Sequence, residues 1–315
     1  MTSAEKLPVV LVTGYLGSGK TTLISRLLAH PELGETAVIV NELGEVGIDH
    51  HLLRQVDERT VLLKNGCLCC SLRGDLAEEL RDLLSRRERG EIPTFRRVVV
   101  ETTGVADPGP IAYTLLAEPV VRHHYRLESV VTTVDAVHGL RGPESVKQVA
   151  AADTVVVTKT DLAGPGPLAE RLSRLNPTAE VMQAEFGDVE PERLLAGSER
   201  DRLVCTPAAS HDGEEIGAVS LVFDEQLDWT AFGIWLTMLL QARGSDILRV
   251  KGLLDVGSSR PVLLNGVQHV VHPPVHLDGW PDDDRRSRLV FIGRGLDRRT
   301  LKASLTAFNR AAAMR

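Results

Sequence analysis

The chain lacks the features by which a sequence declares a membrane, a secretory route or a nucleic-acid partner. No stretch approaches the ~20 consecutive apolar residues of a membrane span. The opening residues, 1–8, show no charged segment leading into an apolar run, so no signal peptide is visible. The 36 Lys and Arg are scattered and outnumbered by 43 Asp and Glu, for a net charge of −7. No basic stripe is therefore available to neutralise phosphates, and nucleic acid is excluded as a partner class. These absences predict a cytoplasmic protein with no membrane or nucleic-acid partner. Cysteine is scarce too, at four residues in 315. In a reducing compartment that number argues against a disulfide framework and for metal or redox chemistry. No internal repeat or low-complexity tract is present.

What is present is an alternation of apolar β-type runs with helical stretches. Residues 9–13, 36–40, 60–63, 97–100, 129–134 and 154–158 read as buried strands, with helices over 21–29, 75–87 and 109–116. Continuous apolar strands separated by helices predict a mostly parallel sheet covered on both faces. The small, polar, turn-rich stretch 206–218 reads as a linker. Beyond it come a strand at 219–223, a helix over about 229–241, strands near 248–256, 261–272 and 288–293, and a helix near 300–312. The expected architecture is an α/β nucleotide-binding domain over 1–205, followed by a smaller α+β domain over 219–315.

The first strand runs into Gly14, then Gly17, Ser18, Gly19, Lys20, Thr21 and Thr22, matching G-x-x-x-x-G-K-[ST]. Glycines at 14, 17 and 19 let backbone N–H groups turn inward around a β-phosphate at a helix N-terminus. Lys20 is expected to reach the β- and γ-phosphates, and the Thr21 hydroxyl to ligate Mg²⁺. An accidental glycine-rich turn is the bland alternative, and the strand–loop–helix context argues against it.

The strand at 154–158 ends in Thr158, Lys159, Thr160 and Asp161. A carboxylate just past a strand can accept from guanine N1–H and the exocyclic amine, donors that adenine lacks in that arrangement. Lys159 can cover the base with its alkyl stem. This element is similar to the guanine-reading N-K-x-D of GTPases with Thr158 in place of Asn; an ordinary helix N-cap is the alternative. The strand at 97–100 ends in Glu101, placed to hold a Mg²⁺-bound water, with Gly104 N–H able to approach the γ-phosphate.

Between these lie two further segments. Asn41 to Asp49 follows the second strand, where a first switch loop belongs. Its Glu42 and Asp49 are candidates for Mg²⁺, and Glu45 for a second metal, against the reading of a solvated acidic turn. His50 and His51 read as surface residues. Cys67, Cys69 and Cys70 crowd one loop directly after a strand. Thiolates favour soft or borderline ions such as Zn²⁺ or Cu⁺, and also bind Co²⁺. A structural zinc wants four ligands, usually from two separated C-x-x-C pairs, and no second pair exists here. Two sulfurs with an outside group such as Glu45 leave an exchangeable shell. Inert buried thiols or a redox pair are the alternatives. Cys205 reads as a packing residue, and His269, His272 and His276 as strand and turn residues.

With these elements in place the chain resembles the CobW-like family of GTP-dependent metallochaperones, within the SIMIBI class of P-loop GTPases. The matching stretches are 14–22, 41–49, 66–70, 101–110, 134–137 and 158–161, with 249–256, 266–270 and 287–294 toward the carboxy terminus. The resemblance implies slow hydrolysis of GTP to GDP and metal at Cys67, Cys69 and Cys70. It also implies a carboxy-terminal domain that meets a client metalloprotein. Zinc is the expected metal, with cobalt or iron open within the family, and a C-x-C-C loop could share one ion in a homodimer. A small-molecule P-loop kinase is the rival from another class. It would need phosphate-clamping arginines, for which Arg86, Arg87 and Arg89 could be offered, although a run at a helix end is usually solvated. A thiol metal buffer or sensor without catalysis is the other rival.

Overall fold

The structure is a computed structural model describing residues 6–30, 33–41, 61–65, 74–195 and 216–314. The chain divides into two compact units, 1–170 with 179–200, and 171–178 with 201–315.

The first unit is built on seven strands: β1 (Leu7–Gly14), β2 (Thr36–Asn41), β3 (Val61–Asn65), β4 (Arg97–Glu101), β5 (Tyr125–Asp135), β6 (Thr154–Thr158) and β7 (Glu180–Ala184). Its helices are α1 (Lys20–Leu28), α2 (Gly74–Glu88), α3 (Pro108–Ala117), α4 (Pro119–His124), α5 (Gly142–Ala151), α6 (Gly166–Leu175) and α7 (Pro191–Leu195). The sheet order is β3-β2-β4-β1-β5-β6-β7, and every paired neighbour is parallel. Alternation along the strands decides the two layers. Val9, Leu11, Ala37, Ile39, Val98 and Val100 pack with α2 and α3, whereas Val10, Val12, Val38, Val40 and Val99 pack with α1. Leu80 of α2 is fully buried in the first of these layers. Leu80→Ala should lower stability by ~2–5 kcal/mol, read as an earlier urea midpoint for this unit; an unmoved midpoint would show that the layer can collapse around the gap.

Because all strands are parallel, their carboxyl ends share one edge. Cross-strand register sets Asn65 beside Asn41, Val40 beside Glu101, Asp135 beside Thr158 and Thr158 beside Ala184. β1 sits centrally, where the connections to either side run in opposite directions, which is where open α/β sheets bind ligands.

The second unit is an antiparallel sheet of β8 (Gly217–Phe223), β9 (Ile247–Leu254), β10 (Val262–Val267), β11 (Val270–Val271), β12 (Val275–His276) and β13 (Ser287–Gly293). The order is β11-β10-β9-β13-β8, with β12 on β10. Helices α8 (Trp229–Arg243) and α9 (Arg298–Ala313) start at Asp228 and Asp297, whose carboxylates accept from Ala231 N–H and Thr300 N–H at 2.7 Å each. Both pack on the sheet face that carries Val219, Leu221, Leu289 and Phe291.

The expected fold class holds, with three departures. The expected strand over 261–272 is a hairpin, turned by Gln268 at φ 52° between the paired residues Val267 and Val270. The Gln268-His269 pair carries none of the Asn-Gly chemistry that announces a two-residue turn. The expected linker 206–218 overlaps β8, whose first paired residue is Gly217. β7 has no counterpart among the predicted strands, because an edge strand alternates in burial and lacks a continuous apolar run.

Candidate functional site

The phosphate loop is drawn tight by contacts that only these residues allow. At Gly14 (φ 142°) an added Cβ would lie 2.2 Å from Thr133 Oγ1, so β1 can pass β5 at this point only as glycine. Ser18 and Thr133 hydroxyls lie 2.6 Å apart. Gly17 and Gly19 take φ of 74° and 89°, turning the chain into α1. The Lys20 ammonium donates to Gly14 O at 2.8 Å and to Tyr15 O at 3.3 Å, bent back over the loop it belongs to.

Two strand ends complete the phosphate side. Thr21 Oγ1 donates to Glu101 Oε1 at 3.0 Å, across 80 residues of sequence. A hydroxyl and a buried carboxylate in contact are hard oxygen donors, the set that Mg²⁺ prefers. After Glu101, Thr102 Oγ1 donates to Thr13 Oγ1 at 2.9 Å. Gly104 then backs against the phosphate loop so closely that a Cβ there would lie 2.6 Å from Leu16 N.

On the base side, Thr158 Oγ1 donates to Ser18 O at 2.7 Å. The hydroxyl thus ties β6 directly to the phosphate loop, a contact that the smaller side chain makes without an amide. Lys159 is one of three residues other than glycine with positive φ among the described residues, at 58°. Its ammonium lies 2.6 Å from Asp135 Oδ2. The same oxygen is 2.9 Å from His138 Nδ1, and Asp135 Oδ1 accepts from Val137 N–H at 2.8 Å. Burial alone would raise the Asp135 carboxyl, but the Lys159 ammonium and then the His138 ring outweigh it and hold it at about 2. Asp161 is exposed. Beyond β7, Gly187 lies against the first turn of α1, and Phe186, at φ 51°, accepts from Arg26 Nε at 3.3 Å through its carbonyl.

The structure therefore gathers Gly14, Gly17, Ser18, Gly19, Lys20, Thr21, Glu101, Gly104, Thr158 and Lys159 at one sheet edge. Asp135 and Gln148, which sequence reasoning gave no role, belong to the same neighbourhood. The signal for Asp135 was its place at a strand end, shared with Glu101. Glu42, Glu45, Asp49, His50, His51, Cys67, Cys69, Cys70 and Cys205 lie outside the described residues. The strands that lead into the acidic and cysteine segments end side by side, at Asn41 and Asn65. His269 falls in the β10–β11 turn and His276 in β12; no group of three or more potential metal ligands gathers among the described residues. The arginines a kinase would need are engaged on their own surface. Arg86 pairs with Asp82, Arg87 lies over the Phe95 ring, and Arg89 pairs with Glu91.

Comparison with known proteins agrees with this geometry. Residues 8–183 match the model of the CobW/HypB/UreG nucleotide-binding domain, and 216–309 match that of the cobalamin synthesis protein cobW C-terminal domain. The chain is 33% identical to the zinc chaperone YjiA of Escherichia coli K12, over 96% of this chain and 99% of that protein. It is 29% identical to zinc-regulated GTPase metalloprotein activator 1 of Schizosaccharomyces pombe, over 93% of this chain and 84% of that one. The crystal structure of Zn(II)-bound YjiA GTPase from E. coli superposes with a TM-score of 0.74 at 30% identity, covering 96% of this chain and 99% of that one. Both units match in sequence order and over nearly their whole length: the chain belongs to the CobW family of P-loop GTPases.

Proposed function

We propose that this GTPase uses its nucleotide cycle to bind a transition metal, zinc first among them, and to release it to a client metalloprotein. The observation that carries the reading is the register of β2, β3 and β4. Asn41 and Asn65 are paired at the strand ends, and Val40 pairs with Glu101 on the other side. The strands that lead into the acidic segment and the C-x-C-C loop therefore end one and two strands away from the carboxylate that faces Thr21. In this reading Thr21 and Glu101 hold Mg²⁺, joined by Glu42 or Asp49 from the acidic segment. Mg²⁺ neutralises charge on the phosphates when bound, while Lys20 and Gly104 N–H meet the γ-phosphate. Cys67, Cys69 and Cys70, with Glu45, hold the cargo metal as thiolates. Lys159 and Asp161 read the base. The second unit, spanning the expected domain 219–315, meets the client, in the cytoplasm, and the cysteine loop is suited to share its ion between two copies.

A γ-phosphate draws neighbouring loops inward and hydrolysis releases them, so metal affinity should depend on the nucleotide. Metal must then change GTP affinity by the same factor. Titrating Zn²⁺ in the presence of GDP and of a non-hydrolysable GTP analogue should show a difference of about 5–150-fold, the usual range of such coupling. Cys67→Ser with Cys69→Ser should abolish that difference and leave GTP binding in place. Equal metal affinity in the two nucleotide states rejects delivery and favours a passive metal buffer.

A further inference from the structure

Gln148 of α5 is fully buried, an unusual place for a carboxamide in a helix that packs on a sheet. Its Nε2 donates to Gly104 O at 3.2 Å and to Ala106 O at 3.0 Å. Only the NH₂ end of the amide can serve two carbonyls, so the chemistry fixes its orientation. The Oε1 end has no hydrogen-bond partner among the described residues. It belongs to a side chain that lines a cavity of about 100 Å³ behind the phosphate loop, together with Tyr15, Leu16, Asp135, His138 and Lys159. The backbone of Gln148 is tied down independently, since Thr132 Oγ1 of β5 donates to its carbonyl at 2.9 Å. The preceding residue, Lys147, faces Asp107 at 3.7 Å, at the far end of the same turn.

The turn that Gln148 holds is buried at Gly104 and at Ala106, which packs in the core layer with α2 and α3. Within it one backbone bond is present, Ala106 N–H to Thr103 O at 3.0 Å, and Val105 between the two held carbonyls is exposed. On its other side Gly104 touches the backbone of Leu16 in the phosphate loop. Pressed against that loop on one side, the turn also has the carbonyls of Gly104 and Ala106 held in direction by the amide behind them.

We infer that Gln148 is a positioning residue for GTP hydrolysis: it presets the 104–106 turn so that Gly104 meets the γ-phosphate, and it links that turn to the cavity shared with Lys159. The inference rests on the reading of Gly104 as the γ-phosphate contact. Since GDP offers nothing for the turn to touch, the two nucleotides separate this role from a purely structural one. In Gln148→Met, which keeps the length and removes the donors, affinity for a non-hydrolysable GTP analogue and single-turnover hydrolysis should each fall about tenfold, as expected for losing buried hydrogen bonds. GDP affinity should stay within about twofold.

An unchanged ratio of GTP-analogue to GDP affinity in folded Gln148→Met overturns the role, as does an equal loss for both nucleotides. The Gly104 amide of the wild type is the separate arm, because a Cβ there would press on Leu16 N. If its NMR resonance is the same with GDP and with the GTP analogue, the γ-phosphate reading of the turn fails; if it shifts while Gln148→Met leaves the ratio unchanged, only the role of Gln148 fails. Gln148→Glu, isosteric but presenting acceptors to the two carbonyls, should reproduce the methionine result. Should both variants melt early, the wild-type protein still decides. The Gln148 side-chain amide protons should shift in NMR spectra between the GDP and GTP-analogue states, and resonances indifferent to the γ-phosphate reject the link.

Discussion

Lys20→Ala should abolish GTP turnover, by on the order of 10²–10³-fold, while leaving the fold intact. The magnitude is that of removing one preorganised donor from developing negative charge. The expectation of an intact fold comes from what the ammonium touches. It donates to the carbonyls of Gly14 and Tyr15, in the loop itself, and neither belongs to the packed layers. Those carbonyls also set the terms of binding, because phosphate must draw the ammonium off them. The alanine variant should therefore lose affinity for GTP and GDP together, since the β-phosphate is common to both. Turnover by a folded Lys20→Ala protein at near wild-type rate would remove the assignment of this loop.

Asp161→Asn should exchange guanine for xanthine. The carboxylate offers two acceptors to guanine N1–H and the exocyclic amine, whereas the amide offers one acceptor and one donor, which suit the carbonyl that xanthine carries in place of the amine. Hydrogen bonds to a charged group are worth about 1.5–3 kcal/mol each, so the GTP-to-XTP preference should move by roughly 10²-fold or more. Asp161 is exposed in the structure, and the change should cost little stability. Thr158 sharpens the test. Its hydroxyl is spent on Ser18 O, so in the proposed reading the choice of base falls to Asp161 and not to Thr158. A variant that still prefers GTP over XTP would show that the choice is made elsewhere, for which the backbone of the 184–188 loop is the next place to look.

The phosphate loop was legible because its chemistry is local. Gly14 to Thr22 carry their donors within nine residues, and the strand and helix on either side have strong periodicity. The order of Glu101 and Thr158-Lys159-Asp161 could be read for a similar reason, since each ends an apolar strand. Gln148 could not be read. Its function lies in two carbonyls more than 40 residues away, and carbonyls carry no sequence signature. α5 itself was hidden because polar Ser145 and Gln148 occupy its buried face, which breaks the apolar stripe that marks a helix. The pairing of Lys159 with Asp135 was obscured differently. Both residues lie in quoted motifs, but only the parallel register of β5 and β6 brings the motifs together.

The place of β1 in the sheet has a consequence for synthesis. This strand, Leu7–Gly14, is made before both of its neighbours, Arg97–Glu101 and Tyr125–Asp135. At roughly 5–20 residues per second the first neighbour is complete about 4–17 s after β1 and the second about 6–24 s after it. Until the first is made, Val9 and Leu11, fully enclosed in the finished protein, have no neighbouring strand to pair with. Pairing over such separations also carries a large loop-closure entropy, which slows the search once the chain is complete. The segment that will grip phosphate is thus made well before the two strands that cover it, and a ribosome-bound nascent chain leaves this apolar stretch open for that time.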